Sequence, residues 1–338
     1  MVRVTIVGLD TIGGSLGMAL QEAQARGEVR GEGLRITGYD EDPRVLREAR
    51  QRGAVQHSTD DLKEAVAEAD LVVISAPARS VGAALQALGP LLPPGCVVTD
   101  TASSKAQVLR WAAQYLPPQV QFVGGHPIFA PQHELDWAAG IRGATAALFQ
   151  DAIYCLIPSE NASERAINTV SGMVRLVGAS PYFLDAVEHD GLLAGISHVP
   201  HLIAAALLET IAESPSWREL KLLADPSFRH FSWPVSFPAA EIHDACVTNR
   251  QAVLSWLDRV IASLQGLRAT IADETAPAEG ILEMFQRANA ARQDWVRRRD
   301  EREGEAGSST MPEIEGMGEQ IMHMFVPRFF RRRPEKEE

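Results

Sequence analysis

The stretch 5–16, TIVGLDTIGGSL, stops one residue short of a dinucleotide-binding loop. Such a loop reads G-x-G-x-x-G between a strand and a helix. Its first glycine makes the turn, its second lets the backbone reach a pyrophosphate, and its third packs the helix on the strand. Here Gly8 and Gly13 hold the outer positions and Asp10 holds the middle one. Residues Gly8, Leu9, Asp10, Thr11, Ile12 and Gly13 therefore form a candidate cofactor cradle, with a carboxylate where a dianion must sit. Two outcomes are open for Asp10. It turns to solvent and only weakens binding, or it caps the helix amides and mimics the missing phosphate. The reading adopted is binding that is weakened but present. Asp40 ends the stretch RITGYD, placed to accept hydrogen bonds from both ribose hydroxyls and to repel a 2′-phosphate, which favours NAD over NADP. The alternative for Asp40 is an ordinary turn residue.

Three further motifs carry chemistry. GGHPIF (124–129) supplies His126, a candidate general base or hydrogen-bonding partner for a reacting hydroxyl. TDTASSK (99–105) places Ser103, Ser104 and Lys105 at the end of the preceding strand; a helix-capping serine is the plainer alternative there. EHDGLLAGISHVPHL (188–202) carries His189, His198 and His201. His198 and His201 are three apart and share a helical face. That spacing suits a metal, but no third ligand falls at a recognisable offset, so no metal is expected. Histidines packed in a helix–helix interface are the alternative.

The elements that must position these residues alternate. Strand patterns at 2–7, 34–40, 69–77, 95–101 and 120–127 are separated by helical ones. Such alternation calls for a doubly wound parallel sheet, which binds ligands beyond the carboxyl ends of its strands. Ala76 and Pro77, after the third strand, thereby join the cofactor candidates. The expected division is a nucleotide-binding domain over 1–160, an all-helical domain over 161–296, and a tail over 297–338. SHVPHLIAAALLETIAES (197–214) is apolar on most faces, as in a buried or dimer-forming helix. The charged run after 296 is expected to be disordered. EGMGEQIMHMFVPRFFRRRP (315–334) is a short amphipathic segment that touches a membrane or a partner, or a loose tail covering part of the domain surface; Pro327 interrupts any helix there.

The chain has 338 residues and a formal charge of −12. That charge argues against a nucleic-acid partner and requires a local cationic pocket for an anionic substrate. Cys96, Cys155 and Cys246 show no paired spacing, so neither a zinc site nor a disulfide framework is indicated and a cytoplasmic setting is expected. No signal peptide pattern opens the chain, and no apolar run reaches the ~18 residues a membrane span needs.

Taken together, VGLDTIGGSLG, GYDEDP, VTDTASSK, GGHPIF, EHD and SHVPHLIAAAL, in that order, resemble the prephenate/arogenate dehydrogenase family over roughly residues 2 to 270. The resemblance implies a Rossmann-type domain holding NAD, a helical domain that forms a homodimer, and an active site between them. It implies oxidation of the ring carbinol of prephenate, or of arogenate, with loss of the ring carboxylate as carbon dioxide. His126 then matches the histidine on the ring hydroxyl, Ser103 the serine that helps hold it, and His198 and His201 the pair lining the substrate side. The family pattern G-F-x-D-x-T-R departs most: SFRHFSW (227–233) puts Trp233 where the carboxylate-binding arginine belongs, and Arg229 is the nearest cation, taken as a substrate-binding candidate. The function expected is NAD-dependent oxidative decarboxylation of prephenate to 4-hydroxyphenylpyruvate, in tyrosine biosynthesis. The alternatives are an oxidoreductase of the same fold acting on another carboxylic acid, and a non-catalytic homologue acting as a binding protein.

Overall fold

The computed structural model describes residues 1–29, 31–130, 137–273 and 279–306. Eight strands form one sheet: β1 (Val2–Val7), β2 (Leu34–Tyr39), β3 (His57–Thr59), β4 (Leu71–Ile74), β5 (Val97–Asp100), β6 (Gln121–Ile128), β7 (Ile153–Pro158) and β8 (Ser180–Phe183). Their spatial order is β3-β2-β1-β4-β5-β6-β7-β8. The strand order reverses between β1 and β4, which opens a crevice at their carboxyl ends. β4 and β5 are buried along their whole length, as strands covered on both faces must be. Helices α1 (Thr11–Ala25), α2 (Pro43–Gln51), α3 (Leu62–Val66), α4 (Ala78–Leu88), α5 (Ala106–Tyr115) and α6 (Glu164–Leu176) connect the strands. Two buried clusters result, one around Ile6, Leu16, Ile36 and Phe149, the other around Val72, Ile74, Val81 and Leu85.

Three features differ from the sequence expectation. β7 pairs antiparallel with β6, so the sheet is parallel-dominated rather than wholly parallel. The short strand β3 had no strand signal of its own. The sheet domain also runs past 160. β8 pairs parallel with β7, and Ala166, Val170, Met173 and Val174 of α6 lie in the sheet's own core. A boundary at 160/161 would cut that core, and SPYF is too short a strand to stand out against flanking helices.

The helical part begins with α7 (Ala186–Leu193), passes through a π-helical turn (Ala194–His198) and continues as α8 (Val199–Ala212). Residues Ala186–Ala212 thus form 27 continuous helical residues, with a hydropathy of 1.7 and only 28% of the apolar window buried. This corrects the expectation that no apolar run is long enough to span a membrane; by length and composition this one is. α9 (Trp217–Leu220), α10 (Pro226–Ser232), α11 (Ala239–Thr248) and α12 (Arg250–Ala272) follow. The chain divides into two compact units, 1–269 and 270–338. In the second unit α13 (Glu279–Ala306) carries the helix through 297–306, where a disordered tail was expected. The run is rich in Arg and Glu, which favour helix. The amphipathic segment at 315–334 lies outside the described residues.

Candidate active site

The glycine loop turns as its outer residues require. Gly8 has φ +92°, and a Cβ there would sit 2.1 Å from the Ser75 carbonyl oxygen. A Cβ on Gly13 would sit 2.1 Å from the Gly8 carbonyl oxygen, so α1 packs directly on the loop. Asp10 differs. Its φ of −74° and ψ of −163° suit any residue, so only the side chain distinguishes it from glycine. That side chain turns back onto the N-terminus of α1. Oδ1 accepts from the amides of Ile12 at 3.0 Å and Gly13 at 2.8 Å and from the Ser75 hydroxyl at 2.9 Å. Of the two outcomes open in the sequence, the carboxylate adopts the second: it occupies the donors that a helix N-terminus offers an anion. Burial pushes the Asp10 carboxyl above the usual range, partly opposed by those hydrogen bonds. Glu241 on α11 is raised as well, by burial first and then by the charges of Asp10 and Asp244.

Other loop residues serve the frame. Leu9 is fully buried, and its amide donates to Asp40 Oδ2 at 3.0 Å. The Thr11 hydroxyl donates to the Gly140 carbonyl at 2.7 Å. Asp40 Oδ1 accepts from the Asp42 amide at 3.0 Å, so Asp40 ties the loop to the end of β2. Ala76 and Pro77 link β4 to α4, across the crevice from β1.

His126 lies within β6, not after it. β5 pairs with β6 through Val97–Gln121 and Val98–Phe122, so β6 runs on past the last residue of β5. His126 is thereby carried beyond the carboxyl end of β5 while still held by Cys155 of β7. Its Nδ1 lies 3.0 Å from His189 Nε2, with the rings edge to face at 76°. His189 Nδ1 lies 2.9 Å from Asp190 Oδ1. Burial, then His189, Lys105 and His198, hold His126 well below the ordinary histidine value, so its ring is neutral at pH 7. Beneath it the Lys105 ammonium is fully buried, donating to Asp100 Oδ2 and, at 2.7 Å, to the Gly125 carbonyl.

His198 and His201 stand on the helical side. Asn249 Nδ2 faces His198 Nδ1 at 3.4 Å, and His198 Nε2 is buried with no partner among the described residues. An amide donor on Nδ1 leaves the ring proton on Nε2. Burial lowers His198 to about 4, so it is a neutral donor. His201 Nδ1 donates to the Ser197 carbonyl at 2.6 Å, and its Nε2 is likewise buried without a partner. Its ring meets Phe237 edge-on at 4.8 Å, and Phe237 meets Trp233 at 5.0 Å. Trp233 is thus the outer member of an aromatic row ending at His201. Arg229 is exposed on α10, and Ser103 is half-buried after the end of β5; neither side chain has a polar partner among the described residues. The Ser104 hydroxyl instead bonds Thr248 on α11 at 2.7 Å. The sequence singled out His189 as one of three histidines in its stretch, and Asp190 only as part of a resemblance. The structure gives His189 and Asp190 direct contacts with the site.

A doubly wound nucleotide-binding sheet, extended by a helical domain that contributes histidines to the carboxyl ends of its strands, is the build of a dehydrogenase. Comparison with known proteins narrows the class. Residues 26–182 match the family model "Prephenate dehydrogenase, nucleotide-binding domain" and residues 185–287 match "Prephenate dehydrogenase, dimerization domain". The chain belongs to the prephenate dehydrogenase family and is an oxidoreductase of that family. The glycine loop lies before the first match. The chain is 29% identical to prephenate dehydrogenase of Bacillus subtilis, over 84% of this chain and 74% of that one. It is 29% identical to cyclohexadienyl dehydrogenase of Zymomonas mobilis, over 86% and 94%. Among solved structures, Synechocystis arogenate dehydrogenase is similar at 26% identity and TM-score 0.71, over 87% of this chain and 99% of that one. Prephenate dehydrogenase from A. aeolicus, in complex with hydroxyphenyl propionate and NAD+, shares the fold at 24% identity and TM-score 0.76, over 87% and 98%.

Proposed function

We propose that this chain uses NAD to oxidise prephenate, or a closely related cyclohexadienyl acid such as arogenate, with loss of the ring carboxylate. The observation that carries the reading is a neutral His126 beyond the end of β5, hydrogen-bonded to His189 of the helical part, with His198 near enough to act on its charge. The backbone keeps the turn that NAD needs: Gly8 lets the loop reverse, Gly13 lets α1 pack on it, and α1 points its amides at the crevice. Asp10 must swing off Ile12 and Gly13 for a pyrophosphate to use those amides. Asp40, Ala76 and Pro77 flank the same crevice and are assigned to the ribose and its surroundings. When bound, the nicotinamide takes a hydride from the ring carbinol carbon.

His126 then accepts the carbinol proton at the nitrogen turned away from His189. As carbon dioxide leaves, its electron pair passes into the ring and negative charge grows on the former hydroxyl oxygen. The proton on His126 is placed to hold that oxygen. Ser103 is assigned to the same hydroxyl, and His198 offers its Nε2–H to a substrate carboxylate. The exposed apolar side chains along Ala186–Ala212, among them Val187 on α7 and Ile196 in the π-helical turn, support a homodimer formed through this helical stretch.

A second reading is favoured by Trp233. With Trp233, Phe237 and His201 in one row and Arg229 exposed, the side chain of the substrate meets aromatic faces and an imidazole rather than a guanidinium. That suits an acid other than prephenate. The test is reduction of NAD+ and, separately, of NADP+ with prephenate and with arogenate, and carbon dioxide release in parallel. Turnover of either ring acid with release upholds the reading. NADH formation with neither, at any cofactor concentration, overturns it.

A further inference from the structure

The hydrogen-bond chain from His126 to Asp190 has a direction that the geometry fixes. Asp190 is 4% exposed and accepts three bonds. Oδ1 takes the Lys105 amide at 2.7 Å and His189 Nδ1 at 2.9 Å, and Oδ2 takes the Ala106 amide at 2.9 Å. Two of these donors are backbone amides, which only donate, and a carboxylate only accepts. His189 must therefore carry its proton on Nδ1. A neutral imidazole with its proton there has a lone pair on Nε2. That lone pair faces His126 Nδ1 at 3.0 Å. Two lone pairs do not share a hydrogen bond, so His126 carries its own proton on Nδ1. Its Nε2 is left bare.

We propose that His189 and Asp190 are positioning residues that lock His126 in the Nδ1–H tautomer, so that Nε2 is always the nitrogen offered to the reacting hydroxyl. The proposal rests on the reading of His126 as the base. His189 reaches His126 from α7 while Asp190 caps α5, so the two helices and β6 are fixed in one arrangement. The chain also serves the charged state. When His126 takes a proton at Nε2, its Nδ1–H already donates to His189, and the Asp190 carboxylate lies one imidazole further on. The other groups facing His126 are Lys105, held by Asp100, and His198. They oppose positive charge on the ring, so Asp190 is the acidic counterweight on this path. A full carboxylate is needed there because a carboxamide would turn an N–H towards one of the α5 amides.

The test reads tautomer and turnover separately. Ring 15N shifts are recorded for the full chain labelled in histidine, with His126 assigned by the signal lost in His126→Asn. The expected result is an Nδ1–H pattern for His126 in the wild type, with no substrate present. His189→Gln keeps an acceptor towards His126 and is expected to retain that pattern. His189→Leu removes it and is expected to shift His126 towards the Nε2–H form, lower kcat by about 10²-fold or more, and leave KM for NAD+ within about twofold. The pH profile of kcat moves in His189→Leu and stays in His189→Gln. An Nε2–H pattern in the wild type overturns the proposal without any variant. So does an unchanged tautomer and kcat in His189→Leu. If the wild type shows the Nδ1–H pattern but turns over neither ring acid, the function reading fails and the tautomer lock stands.

Discussion

At the scale of single residues, the roles proposed for Asp10 and His126 each make a prediction. His126→Asn keeps size and a polar edge but cannot accept the proton, so kcat falls about 10²–10⁴-fold while circular dichroism is unchanged. Unchanged turnover would remove His126 from the reaction. Asp10 holds the two amides that a pyrophosphate would use and adds its own charge. Asp10→Gly frees them, and NAD+ affinity by calorimetry is expected to rise about 10–100-fold, the worth of one or two hydrogen bonds to a charged group. Stability should change by only a few tenths of a kcal/mol, since glycine is an acceptable cap. The sign with pH follows from burial, which raises the Asp10 carboxyl. As pH falls through that raised value the carboxyl is neutralised and stops repelling an anion, so wild-type affinity rises. Glu241, raised by burial and by the charges of Asp10 and Asp244, acts in the same sense. Affinity equal in the wild type and Asp10→Gly at every pH would show that the carboxylate does not compete. The presence of Asp10 was legible in the sequence; its direction was not, because Ser75, sixty-five residues on, supplies the third donor.

At the scale of elements, β6 and the α7–α8 pair decide what the residues can reach. The strand–helix alternation was readable because buried parallel strands such as LVVI are continuous apolar runs. β8 was not, since its four residues are half exposed and only pairing with β7 defines them. The π-helical turn was equally hidden: it adds a residue to one turn just before His198, and no local residue type announces it. Two predictions belong here. Asp190 caps the N-terminus of α5 from α7, so Asp190→Ala strands two buried amides and one imidazole N–H. A loss of about 2–4 kcal/mol is expected from the urea midpoint at unchanged slope. A shift under about 0.5 kcal/mol would mean that water replaces the cap. His198 ends the π turn, and burial lowers it from 6.5 to about 4. In that window the unfolded chain binds a proton that the folded chain refuses. Stability from this group is complete above pH 6.5 and is lost as pH falls towards 4, by roughly 2–3 kcal/mol. His198→Gln should flatten this part of the Tm–pH curve; an equally steep curve would assign the acid loss elsewhere.

At the scale of the whole molecule, the question is what covers the apolar helices. Residues Ala186–Ala212 have the length and hydropathy of a membrane span, yet they hold Asp190, His189 and His198 in hydrogen bonds inside the fold. Charged and imidazole groups so placed face protein, while Val187 at 78% and Ile196 at 76% exposure are open at the surface. The match to the dimerization domain runs through this stretch. A second copy burying these side chains removes apolar surface worth about 25 cal/mol per Å². The expected species in light scattering is therefore twice 36.8 kDa. Val187→Glu with Ile196→Glu places two charges among these exposed apolar side chains on each copy. The dimer should dissociate at micromolar concentration, because unpaired charges resist desolvation. His126 bonds within its own chain, so its Nδ1–H tautomer should persist in such a monomer. A double variant that remains dimeric would move the interface away from α7 and α8, and would leave those side chains to a different partner.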